Sequence, residues 1–502
     1  MQQFDVVIIG SGMGGLVCGN LLSREGMRVC VVEKNRQFGG CLQTFVRDKV
    51  IFDSGVHYIG GLEKGQNLYQ ILKYMGVMDE LKLDKLDEDA FDKIITDDDN
   101  REFCFAQGYE NFINKLSASF PAEEKAIRKY CEAIKDVCSK FPLYNLTTNG
   151  KLEEKVNAMD ISAREFIESL TTNKRLQEVL VGNNLLYVGY EETPFYVHAL
   201  IMNSYIESSY KCVNGGSQLA KIMVRNIRRH GGEIMRNSEV KRIVVEDKKV
   251  SYIETSTGVR IYARQFISNA HPVKTLEMID SVAIRSAYRN RLKSLKNTIS
   301  SFCVHIVLKE RSFPYHNHNY YYFTHGHVWS LADYTEQNWP LGYALFFTRS
   351  SKSKEFADTM TIFSYMKYED VARWENTFNT VAMQGDRGGE YEEFKKRKAE
   401  HLIDKVEERF PGLRGNIKTY YTTSPLSYRD YIGTDDGSLY GIAKNYNDSL
   451  KTFISSRTKL PNLFLTGQNL NVHGVLGTAI GGLLTCILLL NDDSLVEKIR
   501  NA

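Results

Sequence analysis

The apolar run Phe4 to Ile9 ends in Gly10-Ser11-Gly12-Met13-Gly14-Gly15, and a helix-like stretch then leads to Val29-Cys30-Val31-Val32 and Glu33. A strand, a glycine turn, a helix and a second strand closed by an acid make a dinucleotide-binding βαβ start. Gly10 lets the chain turn sharply off the strand, Gly12 lets backbone amides approach a pyrophosphate, and Gly15 lets the helix pack closely on the sheet. The helix N-terminus offers unpaired N–H groups and a partial positive charge to the phosphates. Glu33 lies 18 residues beyond Gly15, near the roughly 20 expected of a carboxylate that holds ribose hydroxyls. An acid there disfavours a 2'-phosphate, so NADP is not the expected nucleotide at this turn.

The chain has 502 residues, more than one ordinary core accommodates, so two domains or a discontinuous pair are expected. Hydrophobic residues at 43% and charged residues at 25% are ordinary for a globular protein. A net charge of +3 is too mild to suggest a nucleic-acid partner. Nine cysteines without a C-x-x-C pair suggest neither a disulfide framework nor structural zinc, and no metal is expected. The N-terminus enters the nucleotide strand directly, without a secretion-type segment, so the expected location is cytoplasmic. The uncharged stretch Asn471 to Leu490 is long enough to span a bilayer. Its glycines Gly474, Gly477, Gly481 and Gly482 leave only the last half strongly apolar, so a loop and a buried helix are the better reading.

Several strings together carry a resemblance. They are Gly10 to Gly15, Glu33, Gly39-Gly40, Phe52-Asp53-Ser54-Gly55-Val56-His57-Tyr58-Ile59-Gly60 and Leu463 to Gly482. They resemble the phytoene desaturase and carotenoid isomerase superfamily of FAD enzymes, and within it look most like the retinol saturases. Val213-Asn214-Gly215-Gly216-Ser217, Val240 to Ile243 and Ile267 to Pro272 resemble the family's middle FAD segment, with His271 where the family often has Asp. The resemblance implies FAD held by Gly10, Gly12, Met13, Gly14, Gly15, Glu33, Lys34, Gly40, Cys41, Gly55, Val240, Asn269, Gly467, Gln468, Gly474, Val475 and Gly477. It also implies an apolar polyene or isoprenoid substrate. Near the C-terminal segment, Ser424 to Ser427 and Gly437 to Gly441 resemble family loops beside the cofactor.

The expected fold class is α/β: a discontinuous Rossmann-like FAD-binding domain with an inserted α+β substrate domain carrying a mixed sheet and helices. Residues 1–75, 210–275 and 440–502 are assigned to the first, and 76–209 with 276–439 to the second. Residues 105 to 205 show helical apolar spacing, and 300 to 370 are rich in β-branched and aromatic residues, as a sheet requires. Glu390 to Phe410, stopped by Pro411, reads as a surface helix.

Hydride transfer is the flavin's own chemistry, and the protein supplies position, electrostatics and exclusion of water. Saturating a polyene places hydride on one carbon and a proton on the next, so one proton donor should lie in the pocket. His57, Tyr58 and His473 are the candidate catalytic residues because the family strings bring them near the ring. No second glycine fingerprint follows a strand, so the electron donor stays open among a visiting pyridine nucleotide such as NAD(P)H, a quinone or another redox protein. Desaturation, redox-neutral isomerisation, amine oxidation and catalysis-free prenyl binding of the Rab GDP-dissociation-inhibitor type remain alternatives. His316, His318, His325 and His327 would pair on strand faces if extended, with no nearby carboxylate to complete a metal set. The basic residues Arg285, Arg289, Arg291, Lys293 and Lys296 and the run Arg349 to Lys354 raise a peripheral membrane contact through anionic lipid.

Overall fold

Four parallel strands end side by side, and the residues just beyond their carboxyl ends form one rim. A computed structural model describes residues 3–99, 101–279, 283–381 and 385–502. In it Gln3–Ile9 pairs with Val29–Val32 on one side and with Arg260–Ser268 on the other, and Leu463–Leu465 pairs with the end of Arg260–Ser268. Ile9 lies opposite both Val32 and Ser268, and Ser268 opposite Leu465. Glu33, Gly10, Asn269 and Thr466 therefore emerge together at the carboxyl ends of the strands, where open α/β sheets bind their ligands. Glu233–Met235 and the antiparallel pair Val240–Glu246 and Lys249–Thr255 complete a seven-stranded sheet. Val29–Val32 and Leu463–Leu465 are continuous buried apolar runs, as strands covered on both faces require, whereas the antiparallel pair at the edge is partly exposed.

The first helix, Met13–Arg24, packs against the long C-terminal helix Gly474–Leu490, which only the short Ser494–Arg500 follows, and against Ser217–Arg229. Gly482 is required at the first of these contacts, since a Cβ there would lie 2.8 Å from Val17 Cγ1. No helix among the described residues is long and apolar enough to cross a membrane.

A second seven-stranded sheet is built from Ile417–Thr423, Ser300–Leu308, Thr359–Met366, Gly342–Phe346, Asn319–Phe323, Asp92–Thr96 and Phe103–Phe105, in that order. It is antiparallel except where Asn319–Phe323 runs parallel to Asp92–Thr96. Helices between residues 109 and 207 share its core. Gly389–Arg409 is the expected helix, yet it buries Tyr391, Phe394, Leu402, Ile403 and Val406 and closes this core from outside. A short three-stranded sheet, Ile59–Gly60, Ser209–Cys212 and Leu83–Lys85, lies at the edge of both cores.

This second core holds uncharged histidines. His198 is fully buried, its ring nitrogens 2.6 Å from the Tyr130 hydroxyl and 2.7 Å from the Tyr187 hydroxyl. Burial pushes its pKa down to about 3. The unfolded chain then binds a proton below about 6.5 that the folded chain refuses, so this contribution is complete above 6.5 and is lost as pH falls towards 3. A His198→Asn variant should accordingly lose about 1.4 kcal/mol less per pH unit than the wild type between about pH 6 and 4. Urea unfolding followed at several pH values checks this difference, in which all other titrating groups cancel; parallel curves would refute it.

Candidate functional site

A cavity of about 940 Å³ opens along the strand rim, at the upper end of ligand-site volumes. One end is polar. Gly10, Gly12, Met13, Gly14, Glu33, Lys34, Val240 and Asn269 line it. Gly10 takes φ +91°, the left-handed turn that carries the chain off the strand. The helix that comes next has Gly12 as its N-cap with no side-chain cap, which leaves its first N–H groups free for an anion. Glu33 accepts hydrogen bonds from Ser11 N (2.9 Å), Ser11 Oγ (2.5 Å) and Asn35 N (2.8 Å), so the carboxylate is fixed at the rim. Lys34 reaches the Asp430 carbonyl at 3.2 Å.

The C-terminal helix also begins at this cavity, with Gly474, Val475 and Thr478 lining it and no side-chain cap on its first turn. Two uncapped helix N-termini thus share one cavity. Gly40, Cys41, Gly55 and Gln468 line its middle. Next to Gly55 but outside the lining, the Asp53 carboxylate accepts from Gly216 N at 2.7 Å and so ties the F-D-x-G and N-G-G strings together.

The other end is aromatic, walled by His57, Tyr58, Tyr205, Tyr321, Phe346 and Tyr440. His57 stacks face to face on Phe346 with ring centroids 4.1 Å apart. Burial, reinforced by the nearby Lys211 charge, pushes its pKa down to about 3, so at neutral pH it carries no imidazolium proton to give. Tyr58 donates to Asp92 Oδ2 at 2.7 Å and shares a 2.8 Å hydrogen bond with Tyr321.

Some expected site residues do not face the cavity. Gly15 is a packing glycine, where any side chain would strike the Gly10 carbonyl. Gly467 presses on Asn269, and Gly477 on Val472. His473 packs its ring against Tyr440, 4.6 Å between centroids, and is not a lining residue; burial lowers its pKa to about 3 as well. The loop Ser424 to Ser427 caps a helix, while the adjoining stretch, Tyr428 to Asp435, lines the cavity. Sequence reasoning missed that stretch and Ser238 with Glu239, which carry no fingerprint, while Val240 and Lys241 beside them belong to the expected middle segment.

The histidine pairs correct an expectation. His316 and His318 precede their strand and converge on the Tyr320 hydroxyl, while His325 and His327 lie in a turn rather than on a strand face. Distant carboxylates do reach them, Asp87 at His318 (2.9 Å) and Glu178 at His325 (2.7 Å). No grouping that could hold a metal ion occurs among the described residues. Of the basic residues, Arg289 is bound to the carbonyls of Leu276 and Ile279, and Arg349 is a buried partner of Asp84, so neither reaches outward.

Known proteins share sequence and fold with the chain. Residues 8–75 match the family model for an NAD(P)-binding Rossmann-like domain. The chain is 27% identical to the all-trans-retinol 13,14-reductase of Danio rerio, over all of this chain and 89% of that one. It is 24% identical to the chloroplastic prolycopene isomerase of Daucus carota, over 99% of this chain and 82% of that one. Among solved structures, an oxidoreductase from Methanosarcina mazei superposes with a TM-score of 0.65 at 15% identity, covering 96% of this chain and 99% of that one. Fold, nucleotide turn and full-length relatives fit the FAD-dependent oxidoreductase superfamily that the sequence strings resemble.

At Gly14 the rim has no room for a side chain. A Cβ at Gly14 would lie 2.7 Å from Asn269 Oδ1 and 3.0 Å from the Gly467 backbone. Gly14→Ala is expected to destabilise by about 1–3 kcal/mol through overpacking. Gly389→Ala, which meets nothing within 4 Å at an exposed helix start, should change stability by less than about 0.5 kcal/mol. Chemical denaturation of the two variants checks the contrast, and equal midpoints would contradict it.

Proposed function

We propose that this chain binds FAD and acts on carbon–carbon double bonds of an apolar polyene or isoprenoid, as a reductase of the retinol-saturase kind. The observation that carries this reading is the joining of a nucleotide-binding rim to an aromatic pocket in one cavity. Full-length similarity to a retinol reductase supports the substrate class. Similarity to a prolycopene isomerase supports a second reading on the same site, redox-neutral isomerisation.

The residues fit the cofactor. Free N–H groups at the start of Met13–Arg24 would meet the pyrophosphate, Glu33 the ribose, and the segment around Val240 the adenine end. Asn469 lines the cavity and its buried Oδ1 has no partner among the described residues, an acceptor suited to a ligand N–H. Bound FAD would supply hydride transfer to or from carbon. The N-terminus of Gly474–Leu490 would favour negative charge on a reduced ring. The aromatic end would hold the polyene by burial alone and keep water from the reacting carbons. We assign residues 1–75, 210–275 and 440–502 to the cofactor unit and 76–209 with 276–439 to the substrate unit.

Purified protein should be yellow, with flavin absorbance in stoichiometric amount. Reduced anaerobically with dithionite and then mixed with all-trans-retinol or a carotenoid, it should be reoxidised as the polyene gains two hydrogens. A product of unchanged mass points to isomerisation, and no response to any polyene tested would remove both readings. Flotation with anionic liposomes measures the membrane contact, which the exposed Arg285, Lys293 and Lys296 would support.

A further inference from the structure

Asp92 is a buried carboxylate that neither the cofactor rim nor the aromatic wall accounts for. It opens the strand Asp92–Thr96 and has no exposed surface. Tyr58 donates to its Oδ2 at 2.7 Å, as does Asn183 Nδ2 at 3.1 Å, and Asn319 Nδ2 donates to Oδ1 at 2.9 Å. The sheet builds this arrangement. Asn319 is the register partner of Asp92 in the parallel pair, and Tyr321 lies two residues beyond Asn319 on the same strand face. The Tyr321 hydroxyl meets Tyr58 at 2.8 Å, and no other hydrogen-bond partner for it occurs among the described residues. Both tyrosines line the cavity, and Asp92 lies behind them, not in its wall.

Three hydroxyl-bearing groups in a row can point their protons either way. With Asp92 ionised, Tyr58 donates to it and Tyr321 donates to Tyr58, so every proton faces the carboxylate. With Asp92 protonated, the carboxyl can donate to Tyr58, Tyr58 to Tyr321, and the Tyr321 proton is then free to face the cavity. One proton added at Asp92 thus presents one proton at the pocket.

We propose that Asp92 is the proton reservoir of this cavity and that Tyr58 and Tyr321 conduct its proton to a carbon of the bound polyene. This rests on the reductase reading of the site. In the step, hydride from the reduced flavin forms a C–H bond at one alkene carbon, and the electron pair of the double bond moves to its neighbour. That neighbour takes the Tyr321 proton; Tyr321 takes the proton of Tyr58, and Tyr58 that of Asp92. The alkene is reduced by two electrons, the flavin is oxidised by two, and Asp92 is left ionised until it recovers a proton from water. A neutral phenol is acid enough, because a polyenyl carbanion is far more basic than a phenolate. Tyr321 is the catalytic residue here, and Asp92 acts through it.

Burial pushes the Asp92 carboxyl up to about 6, against the lowering effect of its hydrogen bonds and of Lys211. The relay is loaded below that value and empties as pH rises through it. The groups facing it are Lys211 from Ser209–Cys212, held down to about 7 by its own burial, Tyr205 from Phe195–Glu207, and Tyr440 from the loop before Leu463–Leu465. Lys211 Nζ has no hydrogen-bond partner among the described residues, so it acts on Asp92 as a field and not as a bonded ion.

The first measurement needs no substrate. Infrared difference spectra of the flavin-loaded wild type across about pH 5 to 8 should contain the carbonyl stretch of a buried protonated carboxyl with a midpoint near 6. Asp92→Asn should abolish it, leaving the separate signal of Asp53, whose pKa burial raises to about 7. Tyr58→Phe should shift its frequency by removing the hydroxyl partner, which keeps the assignment testable if Asp92→Asn does not fold. A spectrum that lacks this band, or one unmoved in both variants, overturns the relay. The second measurement is reoxidation of the dithionite-reduced protein by all-trans-retinol. The wild-type rate should fall with the midpoint of the Asp92 band. Tyr321→Phe and Asp92→Asn should each slow it by about a hundredfold, and Asp92→Glu should recover part of the loss. Wild-type reoxidation that the variants leave unchanged refutes the relay and spares the activity. A wild type that no polyene reoxidises refutes the activity, and the infrared band then decides on its own whether the carboxyl is loaded.

Discussion

A methyl group at position 14 has nowhere to go, and the rest of the site depends on that. The turn after the first strand, Asn269 at the end of Arg260–Ser268, and Gly467 beyond Leu463–Leu465 approach one another backbone to backbone, with the Asn269 side chain wedged between them. Residues from positions 14, 269 and 467 can meet this closely only because two of the three are glycines. The contact ties the two extremities of the chain to its middle. Beside it the helix Met13–Arg24 packs on the middle of Gly474–Leu490, and the Cys18 thiol lies 3.5 Å from the Gly482 carbonyl where they touch.

The start of each helix lines the same cavity, so both bring unpaired N–H groups to it. The polar end gains positive potential from backbone alone, with Lys34 and Lys241 adding charge at the wall. The aromatic end has the opposite character. Burial there keeps His57 neutral and holds Asp92 partly protonated, because a low-dielectric surround disfavours either charge. A ligand with a charged tail and a flat apolar head suits this gradient, and a long apolar second ligand suits the space beyond the head. The loop before the C-terminal helix is fixed by Lys444, whose ammonium group donates to the carbonyls of Thr452, Asn469 and Leu470.

The polar half was legible in the sequence because its determinants are local. A glycine turn, an acid at fixed spacing and a glycine-led apolar helix each announce themselves within about 30 residues. The aromatic half was legible where a family string passed through it, at His57, Tyr58 and Tyr440, while the aromatic run around Tyr321 read equally as sheet core or substrate wall. Asp92, Asn183, Asn319 and Tyr321 are scattered along the chain and meet only through sheet register and helix packing, which single-sequence periodicity does not encode. The same blindness explains His473, close to the ring in the string but turned against Tyr440. It also explains Arg349, read as part of a basic surface run but buried against Asp84. Side-chain direction, not composition, separated these outcomes.

Reduction and isomerisation differ in proton balance, and this bears on what surrounds Asp92. A reductase consumes one proton from the protein at each turnover, so a buried reservoir is useful only if it refills; a redox-neutral isomerisation returns whatever it borrows. The electrostatics around Lys211 run outward from Asp92 to Asp87 and Asp84. Asp87 is about half exposed and bonded to His318, and Asp84 is partly exposed beside Arg349. A fully enclosed relay would be exhausted after one reduction. Lys211 feels these carboxylates and Asp92 through space only, so refilling of Asp92 runs back through Tyr321 and Tyr58 from the cavity, a step that a reductase needs at each turnover and an isomerase does not.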